Sequence, residues 1–204
     1  MESYNIVNIQ EIETFKKGES YKGEITVFTS DIGPKFLLFG NKSVYLNAFS
    51  YMLVLSGRAT LLVDSVEYPI DAHSLCILSP LHLTNFRQVS RDFQCLCLCS
   101  RKNFIDRLPI LNIQHRITHG MNMYHYPIVQ ISEEEKHLLA STMEDLRIQL
   151  FRTEHSYQLE MIQNALTRYY LEIDNILDNK GINEVTERVP QTRYANILRK
   201  FISL

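Results

Sequence analysis

Tyr51-Met52-Leu53-Val54-Leu55-Ser56-Gly57 opens the stretch whose reading decides the fold. Ala59 to Val63 follows, then Asp64-Ser65, then Val66 to Ile70. A turn at Asp71-Ala72-His73 leads to Leu75-Cys76-Ile77-Leu78-Ser79-Pro80 and on to His82-Leu83-Thr84-Asn85. These are aliphatic and β-branched runs of about five residues, cut by turn residues at nearly even intervals, the rhythm of an antiparallel sandwich or barrel. Asp64-Ser65 between two apolar runs predicts a tight hairpin, although Asp-Gly would be the stronger signal. Apolar residues occupy both faces of Tyr51 to Leu55, so this strand is expected to be covered on both sides. The obvious functional place in a small closed sheet is its interior.

Further strands are expected on either side. Upstream, Glu24 to Thr29 and Lys35 to Phe39 read as strands separated by a Gly33-Pro34 turn, and Ser43 to Leu46 as a shorter one. Residues 1 to about 20 carry no strong pattern and are expected to form a loosely attached arm. Downstream, Asp92 to Cys99 is the last long strand, and Asn103 to Leu108 makes a short helical turn before Pro109. Between Leu111 and Pro127 lie His115, His119 and His125 with Met121 and Met123. Their spacing matches no ordered ligand pattern, and no metal is assigned there.

The character of the chain changes at Ser132. Ser132-Glu133-Glu134-Glu135 is a capping box, in which the serine accepts from the third helical amide and Glu135 reaches back. Three acids also suit the positive end of the helix dipole. Leu139, Met143, Leu146 and Leu150 then recur at helical spacing. After a break near Arg152-Thr153-Glu154, a second helix runs from Ser156 to Leu177 with a main stripe of Leu159, Ile162, Leu166, Tyr170, Ile173 and Leu177. A further apolar edge, Met161, Ala165, Tyr169 and Ile176, calls for a second partner. That partner is either the barrel or another subunit, and the edge is a candidate dimerisation face. Gly181 suits a left-handed cap. Glu184 to Pro190 reads as a linker, and Thr192 to Ile202 opens another amphipathic helix at the chain end. The chain is expected to be the front part of something longer.

Composition narrows the classes of function. At 204 residues, with 45% hydrophobic and 22% charged residues, the chain has the make-up of an ordinary globular protein with a sizeable core. A formal net charge of -2 argues against a broad nucleic-acid footprint in this piece alone. No apolar run is long enough to span a bilayer, and Met1-Glu2-Ser3-Tyr4-Asn5 lacks the basic and apolar regions of a signal peptide, so a cytoplasmic location is expected. Cys95, Cys97 and Cys99 alternate along a strand and therefore share a face, about 6.6 Å between neighbours. With Cys76 they are expected to be small reduced thiols facing a core or pocket, because structural zinc favours Cys-x2-4-Cys in a turn.

The order of these elements resembles the N-terminal portion of AraC-type bacterial transcription regulators. The matching pieces are Tyr51 through Gly57, Ala59 to Val63, the Ala72-His73-Ser74 turn with Leu75 to Pro80, Phe93 to Cys99, the Tyr157 to Leu177 helix, and Arg193 to Ile202. The resemblance covers residues 20 to 204 and rests on the order of the motifs. It implies an α+β fold: a cupin-like antiparallel β-barrel or sandwich followed by an antiparallel helical hairpin. The corresponding division is a barrel with its arm over residues 1–130, a hairpin for dimerisation over 131–180, and a linker with the start of a helix-turn-helix domain over 181–204. His73 departs from the usual glycine of that turn. Thr84, with His82 two positions earlier, stands where a histidine is common. The His-x-His of metal-binding cupins is absent near Val44 to Tyr51.

The resemblance places an effector pocket inside the barrel. Phe86, Cys95 and Cys97 fall where arabinose-responsive members hold their effector, and His82 and Thr84 extend the face of Phe86. Cysteines in those positions imply an effector less hydrophilic than a sugar. The expected function is therefore effector sensing and homodimerisation without catalysis, cofactor or metal. DNA would be contacted only through a C-terminal domain. The competing expectation is a stand-alone cupin enzyme or metal protein using His73, His82 and Cys76.

Overall fold

The computed structural model describes residues 5–16, 19–30, 42–108 and 124–182. The expected strand at Lys35 to Phe39, the His115, His119, Met121 and Met123 segment, the linker from Glu184 and the helix from Thr192 lie outside the described residues.

Two sheets face each other. One has five strands in the order β1 (Asn5–Val7), β4 (Val44–Leu46), β9 (Leu83–Arg87), β6 (Arg58–Val63) and β7 (Val66–Asp71). The other has six, in the order β11 (Ile128–Gln130), β8 (Ser74–Leu78), β5 (Phe49–Ser56), β10 (Gln94–Ser100), β3 (Ile25–Ser30) and β2 (Glu19–Tyr21). Helix α1 (Ile9–Lys16) follows β1, and the short α2 (Lys102–Ile105) follows β10. Helices α3 (Glu133–Phe151) and α4 (Gln158–Asn179) form the hairpin. The α+β architecture of sandwiched sheets and a helical hairpin expected from the sequence is the one observed.

The six-stranded sheet is buried on both faces, which explains the unbroken apolar character of its central strands. On β5, Tyr51 and Leu53 pack into a core shared with the hairpin, whereas Met52 and Val54 point into the barrel. On β10, Leu96 and Leu98 face the hairpin, and Cys95, Cys97 and Cys99 face the barrel. Alternation along a strand thus separates two cores by the thickness of one sheet. The hairpin contributes Leu139, Met143, Leu146, Ile162, Leu166 and Ile173 to the outer core.

Local signals fix the ends of these elements. The Ser132 Oγ accepts from the Glu135 amide at 3.1 Å while the Glu135 carboxylate accepts from the Ser132 amide at 2.7 Å, completing the capping box. Gly181 takes the left-handed φ of +68° just past α4. Asp64 and Ser65 both have positive φ, 49° and 75°, as a two-residue hairpin of type I′ requires. Ser65→Gly is accordingly expected to stabilise the fold by about 1 kcal/mol, seen as a higher urea midpoint.

The second apolar edge of α4 finds its partner inside the chain. Ala165, Tyr169 and Ile176 are buried in the outer core, and the Tyr169 ring meets Tyr51 edge-on at a centroid distance of 5.5 Å. Only Met161 of the four candidate dimerisation residues stays partly open. The correction has a plain cause, since the sheet carries large side chains on its outer face that need a wide helical surface to cover them. The Tyr169 hydroxyl is buried without a hydrogen-bond partner among the described residues. Tyr169→Phe is therefore expected to leave stability unchanged or raise it by about 1 kcal/mol, measured by thermal unfolding.

Candidate functional site

A cavity of about 110 Å³ lies between the two sheets, several times the room one water needs. The barrel is therefore not packed shut by its described side chains. Its far wall is the six-stranded sheet, which offers Phe28, Ser50, Met52, Cys97 and Cys99. Its near wall is the five-stranded sheet with Val44, Leu46, Thr84, Asn85 and Phe86. The N-terminal segment adds Val7 and Ile12, the end of β8 adds Leu78, the β8–β9 connection adds Ser79 and His82, and exposed Lys42 completes the rim. The lining is mostly apolar with a few polar groups, the usual make-up of a small-molecule site.

Four of the five expected pocket residues, His82, Thr84, Phe86 and Cys97, line this cavity. Cys95 lies on the same interior face but outside the lining, with its Sγ 3.6 Å from that of Cys97. Among the twelve lining residues that sequence reasoning missed are Val7, Ile12, Lys42, Ser50, Met52, Asn85 and Cys99. Cys99 carried a usable signal, being next in the alternating series after Cys97. Met52 carried one only in register, since it pairs directly with Cys97 across β5 and β10.

Polar groups at the cavity are held by local bonds. The Thr84 hydroxyl donates to the Val44 carbonyl at 3.3 Å, tying β9 to β4. The Ser50 hydroxyl and Cys99 thiol lie 3.5 Å apart. Burial pushes the Cys99 thiol up to about 12 and raises Cys76 well above its ordinary value, with Cys97 adding to both. Thiols held neutral in this way are poor nucleophiles.

His82 is 2% exposed and engages a partner through each ring nitrogen. Its Nδ1 accepts from the Ser79 amide at 3.2 Å. A backbone N–H can only donate, so Nδ1 is unprotonated and Nε2 carries the hydrogen, which it donates to the Tyr124 carbonyl at 3.3 Å. The two rings stack at 5.3 Å. Burial lowers the pKa of His82, against the opposing pull of Asp64 and the bond to Tyr124. The ring is thus a neutral imidazole of defined tautomer.

Among the described residues no three His, Cys, Asp or Glu side chains are grouped to hold a metal ion. Of the ligand set considered above, His73 is exposed and sits 3.5 Å from Glu133 at the start of α3, whereas His82 and Cys76 are buried in the barrel. No helix of the described residues is long and apolar enough to cross a membrane.

No protein-family profile matches the chain, and no curated protein matches it. Solved structures do. Apo ToxT from Vibrio cholerae aligns over 87% of this chain and 70% of its own length, at 12% identity and a TM-score of 0.47. The AraC-like transcriptional activator CuxR aligns over 70% of this chain and 47% of its own, at 12% identity and a TM-score of 0.39. A Cupin 2 conserved barrel domain protein from Salinispora arenicola aligns over 41% of this chain and 66% of its own, at 17% identity and a TM-score of 0.30. The solved structures similar to this chain thus include an AraC-like regulator and a cupin barrel protein.

Proposed function

We propose that this chain is the effector-sensing and dimerisation portion of an AraC-type transcriptional regulator, without catalytic activity. One observation carries the reading: the cavity wall is shared between the barrel and the N-terminal segment, through Val7 and Ile12. An occupant would therefore bind one arrangement of that segment better than another, which is what a sensor needs. The sheet behind the cavity supports the hairpin on its other face, so the same wall meets the elements that would set subunit geometry. The mostly apolar lining suits a small, largely apolar effector. DNA binding would belong to a C-terminal domain outside this chain.

Thermal unfolding with hexanol and hexanoate as probes tests the sensor reading. Tenfold excess over the dissociation constant is expected to raise Tm by about 3 °C or more. Met52→Trp, which fills the cavity, is expected to abolish the shift. One tightly bound metal per chain, or no shift with any small apolar probe, would overturn it.

Dimerisation is proposed through the loop end of the hairpin. Ile148 and Phe151 are 49% and 59% exposed at the end of α3, and Met161 near the start of α4 is half-open. Ile148→Glu is expected to turn a dimer into a monomer by light scattering.

A further inference from the structure

We infer that His82 couples the cavity to the β11–α3 segment, and that the effector carries a hydrogen-bond acceptor that competes for its Nε2–H. This deepens the sensor reading and rests on it. His82 is a lining residue bonded outside the barrel wall: its Nε2–H reaches the carbonyl of Tyr124, 42 residues away in the chain. Tyr124 is also held by the ring stack. From there the chain runs without a break into the hairpin. The Pro127 carbonyl accepts from the Ile77 amide at 2.7 Å, β11 pairs with β8 over Ile128 to Gln130, and the Ile131 amide donates to the His73 carbonyl at 2.8 Å. Ser132 then caps α3.

The energetics favour exchange of partners at this bond. At 3.3 Å it is long for an N–H···O contact, and the imidazole is neutral, so an acceptor in the cavity takes the hydrogen without separating charge. The bond to Ser79 keeps the tautomer fixed throughout, so only the Nε2 side changes partner. A purely apolar occupant would fill the cavity and leave Tyr124 in place. An acceptor-bearing one would loosen Tyr124 and the short β11 ladder that follows it. The ligand class is therefore a small apolar molecule with a carboxylate, ester, amide or ketone oxygen, and the readout is the start of the hairpin.

Amide hydrogen exchange at Val129 and Ile131, the positions in and just after β11 whose N–H groups face β8, with Leu53 and Leu96 as controls in the central sheet, tests this. His82→Phe keeps a ring for the stack but removes both nitrogens. It is expected to speed exchange at these two amides about two- to tenfold, the range set by loss of one hydrogen bond, with the controls unchanged. Tyr124→Ala, which removes the stack, is expected to do the same and serves if His82→Phe fails to fold. Hexanoate is expected to speed the same amides in the wild-type chain and to add nothing in His82→Phe, whereas hexanol leaves them unchanged. Unaltered exchange at the two amides in both variants, or equal acceleration at the controls, would overturn the coupling. A Tm shift by hexanoate without local acceleration would also overturn it while leaving the sensor reading intact. Absence of any probe-induced Tm shift would instead count against the sensor reading, and the variants alone would then decide whether His82 couples these elements.

Discussion

Gly57→Ala is expected to be the most damaging single substitution in the barrel, lowering stability by more than about 3 kcal/mol and leaving little folded protein at 37 °C. Gly57 joins β5 in one sheet to β6 in the other with φ at +73°, a region where a side chain is strained. Space is lacking as well. A Cβ there would lie 2.6 Å from the backbone nitrogen of Phe93, 2.6 Å from its Cα and 2.6 Å from the Ser90 Oγ. Backbone cannot swing aside as a flexible side chain can, and Phe93 is itself buried in the inner core. Urea unfolding monitored by circular dichroism reads the loss. A fall below about 1 kcal/mol would show that the β5–β6 corner relaxes, contrary to the packing seen. Because this corner sets the two sheets face to face, any folded remnant of the variant should also lose the Tm response to hexanol.

Raising the pH is expected to unfold the protein through its buried acids. Cys99 is held up to about 12 from an ordinary value of 9.0, so the unfolded chain loses this proton first. Between those values the unfolded state binds fewer protons than the folded one, and stability falls as pH rises. For Cys99 alone the loss is on the order of 4 kcal/mol, most of it below pH 12. Cys76 moves in the same direction, and from about pH 10 the buried hydroxyls of Tyr51, Tyr169 and Tyr170 join, each raised chiefly by burial. Total stabilities of about 5–15 kcal/mol leave little margin against such a sum. Urea midpoints should be level to about pH 8.5 and drop steeply by pH 10.5, with Cys99→Ala removing about one proton from the slope. A flat profile to pH 10.5 would refute the account. Below pH 9 the same physics keeps the Cys99 thiol neutral, so it packs in the cavity wall as a small side chain and makes a poor nucleophile.

Much of the architecture was legible because it is written in short-range pattern. Apolar residues on both faces of Tyr51 to Leu55 required cover on both sides, and the inner core and the hairpin supply it. The alternation of Cys95, Cys97 and Cys99 placed them on one face before any partner strand was known. Ser132 with Glu135 and Gly181 each depend on contacts within a few residues, so the sequence contains the whole of their cause, whereas the Asp64-Ser65 turn is also tied to Leu83 on β9.

Tertiary structure alone decided the rest, and for one physical reason: it depends on which distant surfaces meet. The second stripe of α4 asks for a partner in the same way whether that partner is a sheet or another subunit, and only the docking of Tyr169 on Tyr51 chose the sheet. The cavity is a difference between the volume two sheets enclose and the volume their side chains fill, which no local period records. Val7 and Ile12 join its wall because β1 pairs with β4, strands far apart in the chain. His82 was readable as a polar residue on the interior face. Its bond to Tyr124 exists only because closure of the fold brings the start of β9 against the segment that leads to the hairpin.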